Sequence, residues 1–336
     1  MTSSAKFAAL VQRADLLRRL REFFHERGFL EVETPLVADE VIPELHIEPV
    51  RLGDSPLFSP GAHEPRNDLK REKGTVPFSS SWLQASPELH MKRLLAAGAG
   101  LIFQVTHSFR AGERGRLHNP EFTIVEWYRV GDDMRAGIEL VDELMKSLLD
   151  TPPATRTTYA EAFERHAGMN PHSASLEELA STMEAPLGMD RGNRDEWLNA
   201  ILAARVEPLL GRDRPEIIFH YPATQAALAK TTTSPAGYEV AERFELYYRG
   251  IELANGYHEL SDAAEQRRRF EAVNAARKAD GRPALPLPER LLAALEAGLP
   301  DCTGVALGFD RLAMLAIGAT SIDEVMTFPS SRGMIP

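Results

Sequence analysis

Leu16, Leu17, Leu20, Phe23 and Phe24 recur at helical spacing, so residues 8–28 predict an amphipathic helix that Gly28 stops. A short strand over 29–33 ends at Thr34-Pro35, because the residue before proline is pushed to extended backbone. Residues 43–82 are rich in Pro, Ser, Gly and charge and predict a strand with a long exposed loop. Residues 86–97 read as a helix with Pro87 in its first turn, where a missing N–H costs nothing. A strand ending at Arg110, a charged loop and a returning strand fill 109–128, and a helix covers 135–150. From 151 to 220 the pattern is mixed and polar, with helical stretches around 176–184 and 194–208. Strands return at 244–248 and 251–254, helices at 262–278 and 288–297, and a strand at 304–308 runs into a last helix near Phe309. These elements do not alternate as βαβ units. The expected fold class is therefore α+β, one antiparallel sheet flanked by helices.

Three segments carry chemistry. In the hairpin FRAGERGRLHNPEFTIVEWY, Phe122, Glu126 and Tyr128 fall at even spacing and share one face of the strand. With Arg110 they set a guanidinium, a ring, a carboxylate and a phenol together, which suits a nucleoside triphosphate and a small cationic molecule. Arg114, Arg116 and His118 in the loop are candidates for neutralising a polyphosphate. In RFELYYRGIELANGYHELSD, Glu245 and Glu252 lie on strands joined near Arg249-Gly250 and are expected nearly opposite each other. Facing carboxylates repel unless a cation lies between them, and Mg²⁺ shared with substrate phosphates fits. Asn255, Tyr257 and Glu259 alternate onto one face beyond the turn. In GVALGFDRLAML a glycine-flanked strand meets a helix whose first turn carries Asp310 and Arg311, an arrangement suited to an anion. Taken singly, each segment is also compatible with an ordinary charged hairpin, an exposed glutamate pair or a capped core helix.

Composition narrows the class. The 336 residues are 43% hydrophobic and 26% charged, as in globular proteins, and a net charge of −11 argues against a broad nucleic-acid surface. A single cysteine, Cys302, excludes an intrachain disulfide and a cysteine metal cluster, and suits a reducing cytoplasm. No signal-type core and no apolar run of roughly 18 residues is present, so neither secretion nor a membrane span is expected.

Taken together, the segments resemble the motifs of class II aminoacyl-tRNA synthetases in their lysine-specific form. RREFFHERGFLEVETPLV, about 19–36, resembles motif 1; residues 109–129 resemble motif 2; GVALGFDRLAML, 304–315, resembles motif 3. SPELHMKRLL and GIELANGYHEL are similar to lysyl-type signatures. Motif 1 begins within the first twenty-odd residues and about twenty follow motif 3, which leaves no room for an anticodon-reading module, so the expectation is a single catalytic domain over 1–336. The chain thus resembles stand-alone lysyl-synthetase paralogues that attach a lysyl group, by preference (R)-β-lysine, to a lysine of elongation factor P.

The resemblance implies ATP and Mg²⁺, a homodimer formed through motif 1, a cytoplasmic enzyme and no stable tRNA binding. It implies that Arg110 and Arg311 are catalytic, Arg110 on the substrate carboxylate and α-phosphate and Arg311 on the far phosphates. His118, Asn119 and Phe122 would bind ATP, with Phe122 under the adenine, and Leu253 and Gly308 would line the nucleotide site. Glu245 and Glu252 would hold Mg²⁺, Glu252 also facing the nucleotide. Ser86, Pro87, Glu88, Glu126, Tyr128, Asn255, Tyr257 and Glu259 would form the amino-acid pocket. The family's Arg-Asn-Glu reads Arg110-Ala111-Gly112 here, so Glu113 is the candidate to replace that glutamate at the adenine. Ala306 replaces a family glycine, and its methyl group is expected to crowd α-lysine and suit β-lysine. A minimal tRNA-charging enzyme is the first alternative. An inactive regulatory paralogue is the second, and the retained Arg110, Arg311, Glu245 and Glu252 count against it.

Overall fold

A computed structural model describes residues 3–52, 81–186 and 188–330; most of the loop expected within 43–82 lies outside them. In chain order the elements are α1 (Ser3–Glu26), β1 (Leu30–Glu31), β2 (Val37–Ala38), β3 (Trp82–Leu83), α2 (Glu88–Ala96), β4 (Leu101–Phe109), β5 (Glu121–Val130) and α3 (Met134–Leu149). Then come β6 (Thr155–Thr158), α4 (Tyr159–Ala167), α5 (Leu176–Thr182), α6 (Arg194–Ile201), β7 (Glu216–Pro222), β8 (Thr231–Thr233) and β9 (Glu239–Tyr248). The chain continues with β10 (Ile251–His258), α7 (Ala263–Ala279), α8 (Glu289–Gly298), β11 (Cys302–Gly308) and α9 (Phe309–Ala316).

The sheet runs β1-β4-β5-β11-β10-β9-β7-β6, with β8 also paired to β9. Its centre is antiparallel, while the pairs β1–β4 and β6–β7 are parallel, so the α+β expectation holds with a mixed sheet. Local signals explain several boundaries. Gly28 at φ +77° lets Phe29 N–H return to the Phe24 carbonyl and closes α1. Pro87 is the residue before α2 rather than a member of its first turn. Arg249 and Gly250 both have positive φ, the two-residue turn that matches strand twist.

Register sorts the residues by face. Phe103, Val125, Trp127, Val305, Leu307, Phe244 and Leu246 belong to one core with Leu16, Leu20 and Phe24 of α1, Val141 and Leu144 of α3, and Leu312 of α9. Phe24 stacks on Phe103 at 4.7 Å between ring centres. The other face carries Phe122, Glu126 and Tyr128 of β5, Gly304 and Ala306 of β11, Asn255 and Tyr257 of β10, and Glu245 of β9. Two smaller cores flank it. One joins Tyr159, Phe163, Trp197 and Leu198 to Ile218, Tyr221 and Tyr247; the other joins Leu89, Met91 and Leu95 to Tyr128, Phe270 and Leu291. The stretch 151–220, which showed no chemistry as sequence, thus walls one side of the polar face.

Candidate active site

Arg110 follows β4 directly, its N–H bonded to the Pro120 carbonyl, and its guanidinium lies 5.0 Å from the centre of the Phe122 ring. Glu113 is 3.8 Å away, and the Arg110 Nε is buried with no partner among the described residues, a donor left for a ligand. Arg311 reaches across from α9. It donates to the Leu117 and Glu252 carbonyls, pairs with the Glu252 carboxylate at 3.2 Å and meets His118 Nε2 at 2.8 Å. Burial, and then Arg311, lower the His118 pKa, so the imidazole is neutral at pH 7. Motif 2, motif 3 and β10 therefore meet at Arg311.

Several predicted residues do other work. Asn119 is buried, with its amide donating to the Glu121 carbonyl and accepting from the Ser330 N–H. Leu253 points into the main core. Neither side chain is free to touch a nucleotide, so any contribution is through backbone. Arg114 is bound to Asp323 and the Ser330 carbonyl, and Arg116 to the Thr320 carbonyl, so both pin the C-terminal segment instead of facing phosphates. Asp310 is structural: buried, it pairs with Arg13 of α1 at 2.6 Å and accepts from the Thr123 N–H.

A cavity of about 140 Å³ lies on the polar face. Ser86, Glu88, Glu126, Tyr128, Asn255, Tyr257, Glu259 and Ala306 all line it, as does Arg110 at one side. Ser86 donates to Glu126 at 2.5 Å, Tyr128 donates to its second oxygen at 3.4 Å, and Asn255 donates to the Tyr257 hydroxyl at 3.0 Å. The Asn255 side-chain oxygen is buried and has no partner among the described residues, an acceptor left for a ligand. Ala306 stands between Glu126 and Asn255 in the ladder. Gly304 has no room for a side chain, since a Cβ would meet Glu259 at 2.2 Å and the Tyr128 ring at 2.3 Å.

Two charged groups here were not singled out from sequence. Lys92 of α2 is buried and lies 2.6 Å from both Glu88 and Glu259. Its helical spacing gave no sign of this, because a buried and a solvated lysine look alike in a helix. Glu44 also lines the cavity, from a segment with no periodicity to read. Burial, reinforced by Glu88, pushes Glu126 up to about 8 and Glu44 up to about 7. Burial also raises Glu259 to about 7 against the pull of Lys92. For Lys92, burial alone would favour the neutral amine, but Glu259 and Glu88 outweigh it and hold the pKa above the ordinary lysine value. With carboxylates at 2.6 Å on both sides, the ammonium is the fixed charge of this triad. The pocket holds more carboxylates than fixed cations, which suits a ligand carrying ammonium groups.

The metal pair needs correction. The two-residue turn sets Glu252 opposite Tyr247, and a bulge at Leu253 then places Glu245 opposite Asn255, so the two glutamates are not paired. The bulge does turn Glu252 onto the polar face. Glu245 is already engaged by three donors: Arg243 holds one oxygen at 2.5 Å, and Tyr221 and Tyr247 donate to the other at 2.6 and 2.5 Å. Glu252 is partly exposed, and no protein group holds its second oxygen among the described residues. No group of three or more His, Cys, Asp or Glu side chains among the described residues has metal-holding geometry. The donor set fits a cation shared between Glu252 and phosphates, while Glu245 is committed to Arg243 and two phenols.

Comparison with known proteins agrees with this arrangement. The family model of class II tRNA synthetases (D, K and N) matches residues 1–332. A Klebsiella pneumoniae (strain 342) protein named elongation factor P--(R)-beta-lysine ligase is 47% identical over 333 residues, covering 98% of this chain and 97% of that relative. A Salmonella paratyphi B protein of the same name is 45% identical over 336 residues, with 98% and 97% covered. The motif 2 hairpin, the motif 3 helix and the lysyl-type pocket assemble on one face of an α+β sheet, and the chain belongs to the class II tRNA synthetases.

Proposed function

We propose that the chain activates (R)-β-lysine, and α-lysine less well, as an aminoacyl-adenylate and transfers the acyl group to a lysine of elongation factor P. The observation that carries this reading is the cavity that Glu126, Tyr128, Glu259 and Ala306 line together with Arg110. Several carboxylates and one guanidinium in a single pocket suit an amino acid with two ammonium groups and one carboxylate. The names of the relatives supply the acceptor protein and the β-isomer.

In the first step the amino-acid carboxylate attacks the α-phosphorus and pyrophosphate leaves. That carboxylate is already ionised at neutral pH, so no general base is required. Arg110 orients it and neutralises charge at the α-phosphate; Arg311, fixed by Glu252 and the Leu117 carbonyl, does so at the far phosphates. Phe122 offers its ring to the adenine, and Glu113 stands beside Arg110 for a polar contact. His118, neutral, is an acceptor or donor beside Arg311 without adding charge. Glu252 would hold Mg²⁺ together with the phosphates, and the bound ion supplies further neutralisation. Glu245 fixes Arg243, which lines the larger cleft.

Dimer formation fits the surface. Phe7 and Val11, one turn apart on α1, are 69% and 55% exposed, and Leu30 and Val37 nearby in sequence are 63% and 41% exposed. Apolar residues on the motif 1 elements suit a second copy. The test of the activation step is exchange of labelled pyrophosphate into ATP. Exchange is expected with (R)-β-lysine and Mg²⁺; none with either lysine isomer would rule out adenylation.

A further inference from the structure

Glu44 and Leu228 are the residues that line both the small cavity and a larger cleft of about 1180 Å³ that opens to solvent. Glu44 is thus the charged group at the junction between the amino-acid pocket and the way in. Its backbone is fixed from two sides. Arg277, fully buried in α7, donates to the Glu44 carbonyl at 3.1 Å and pairs with Glu48 at 3.0 Å. The Glu48 carbonyl in turn accepts from the Ala111 N–H, next to Arg110.

The carboxylate of Glu44, by contrast, has no hydrogen bond or ion pair among the described residues. Every other carboxylate lining the small cavity is committed among the described residues. Glu88 and Glu259 share Lys92, Glu126 takes Ser86 and Tyr128, and Glu40 takes the Arg290 N–H. The charged and titratable groups around Glu44 are Glu88 of α2, Arg110 of the hairpin, Arg243 of β9 and Tyr257 of β10. Arg269 of α7 lines the same cleft.

The transfer step needs such a group. A protein lysine enters as an ammonium, with an unperturbed pKa of about 10.4, and must lose a proton before it can attack. We infer that Glu44 receives the ammonium of the acceptor lysine at the junction and takes its first proton. This rests on the ligase reading above. The amine nitrogen then bonds to the adenylate carbonyl carbon, and the bond from that carbon to the phosphate oxygen breaks. The second proton leaves as the tetrahedral adduct collapses, to the AMP phosphate or to water. Glu44 starts the cycle ionised and ends it protonated, and returns its proton to the open cleft. Its pKa, raised to about 7 by burial and Glu88, is matched to that task near neutral pH.

The test separates the two half-reactions in Glu44→Gln and Glu44→Asp. Pyrophosphate exchange reads activation, and single-turnover transfer from preformed adenylate to elongation factor P reads the second step. Glu44→Gln is expected to lower transfer at least about 100-fold more than it lowers exchange. Wild-type transfer should rise with pH through about 7, and Glu44→Gln should lose that rise while Glu44→Asp keeps it. Equal losses in exchange and transfer would overturn the inference and make Glu44 part of the amino-acid subsite. Unchanged transfer would overturn it outright. Absent exchange in the wild type would instead sink the ligase reading.

Discussion

Lys92 and Glu259, 2.6 Å apart and each 1% exposed, form the most deeply buried ion pair of the pocket. With Glu88 as second partner, the lysine sets how much negative charge remains for a ligand. Removing one partner of a buried pair typically costs about 3–5 kcal/mol, because a charge is left without compensation. Lys92→Met should therefore lower the melting temperature. The loss should grow as pH rises past 7, where Glu259 would otherwise ionise. Added lysine should restore more stability to the variant than to the wild type, since its ammonium replaces the missing one. Thermal melts at pH 6 and 8 check this; a variant as stable as the wild type at pH 8 contradicts it.

Gly304 keeps the pocket open. A Cβ there would meet Glu259 and Tyr128 at under 2.4 Å, distances that force one of them to move. Gly304→Ala should raise the KM for lysine by roughly tenfold or more, on the scale of one lost charged contact, while the KM for ATP changes little. Steady-state exchange kinetics measure both. A rise in the ATP constant alone would place Gly304 elsewhere in the mechanism.

Substrate uptake should release protons. Burial lifts Glu126 to about 8 and Glu259 and Glu44 to about 7, above their values in an unfolded chain. Each such group stabilises the empty fold fully below its unfolded pKa, and that contribution fades as pH rises through the folded one. An arriving ammonium favours the ionised carboxylates, lowers these pKa values and expels protons. Calorimetry at pH 7 in buffers of different ionisation enthalpy should show net release, with affinity rising between pH 6 and 8. Proton uptake would contradict the pocket electrostatics.

Ala306 separates Glu126 from Asn255 on the pocket floor. Ala306→Gly should raise exchange with α-lysine relative to (R)-β-lysine. One methyl group in a pocket is worth about 1–3 kcal/mol, so a shift of about tenfold is expected. An unchanged ratio removes Ala306 from the specificity argument.

The face that carries the site was legible because alternation is local: Phe122, Glu126 and Tyr128 declare their side of the strand by spacing alone. The register between β9 and β10 was only partly legible: the turn at Arg249-Gly250 pairs Glu252 with Tyr247, while the bulge at Leu253, which carries no sequence signal, sets Glu245 opposite Asn255. β7 and α4 lay inside a stretch read as mixed and polar; they form because Ile218, Tyr221, Tyr159 and Phe163 pack against each other and against β9. Glu44 was invisible for another reason. Its position is fixed by Arg277, 233 residues away, and nothing in its own neighbourhood announces a place at the pocket.

The most direct test of the account is the intact mass of elongation factor P after incubation with this protein, ATP, Mg²⁺ and (R)-β-lysine. The account predicts the addition of one lysyl residue to a single lysine, lost when Arg110 is replaced by alanine. Unmodified elongation factor P, with the label appearing on tRNA instead, would contradict it.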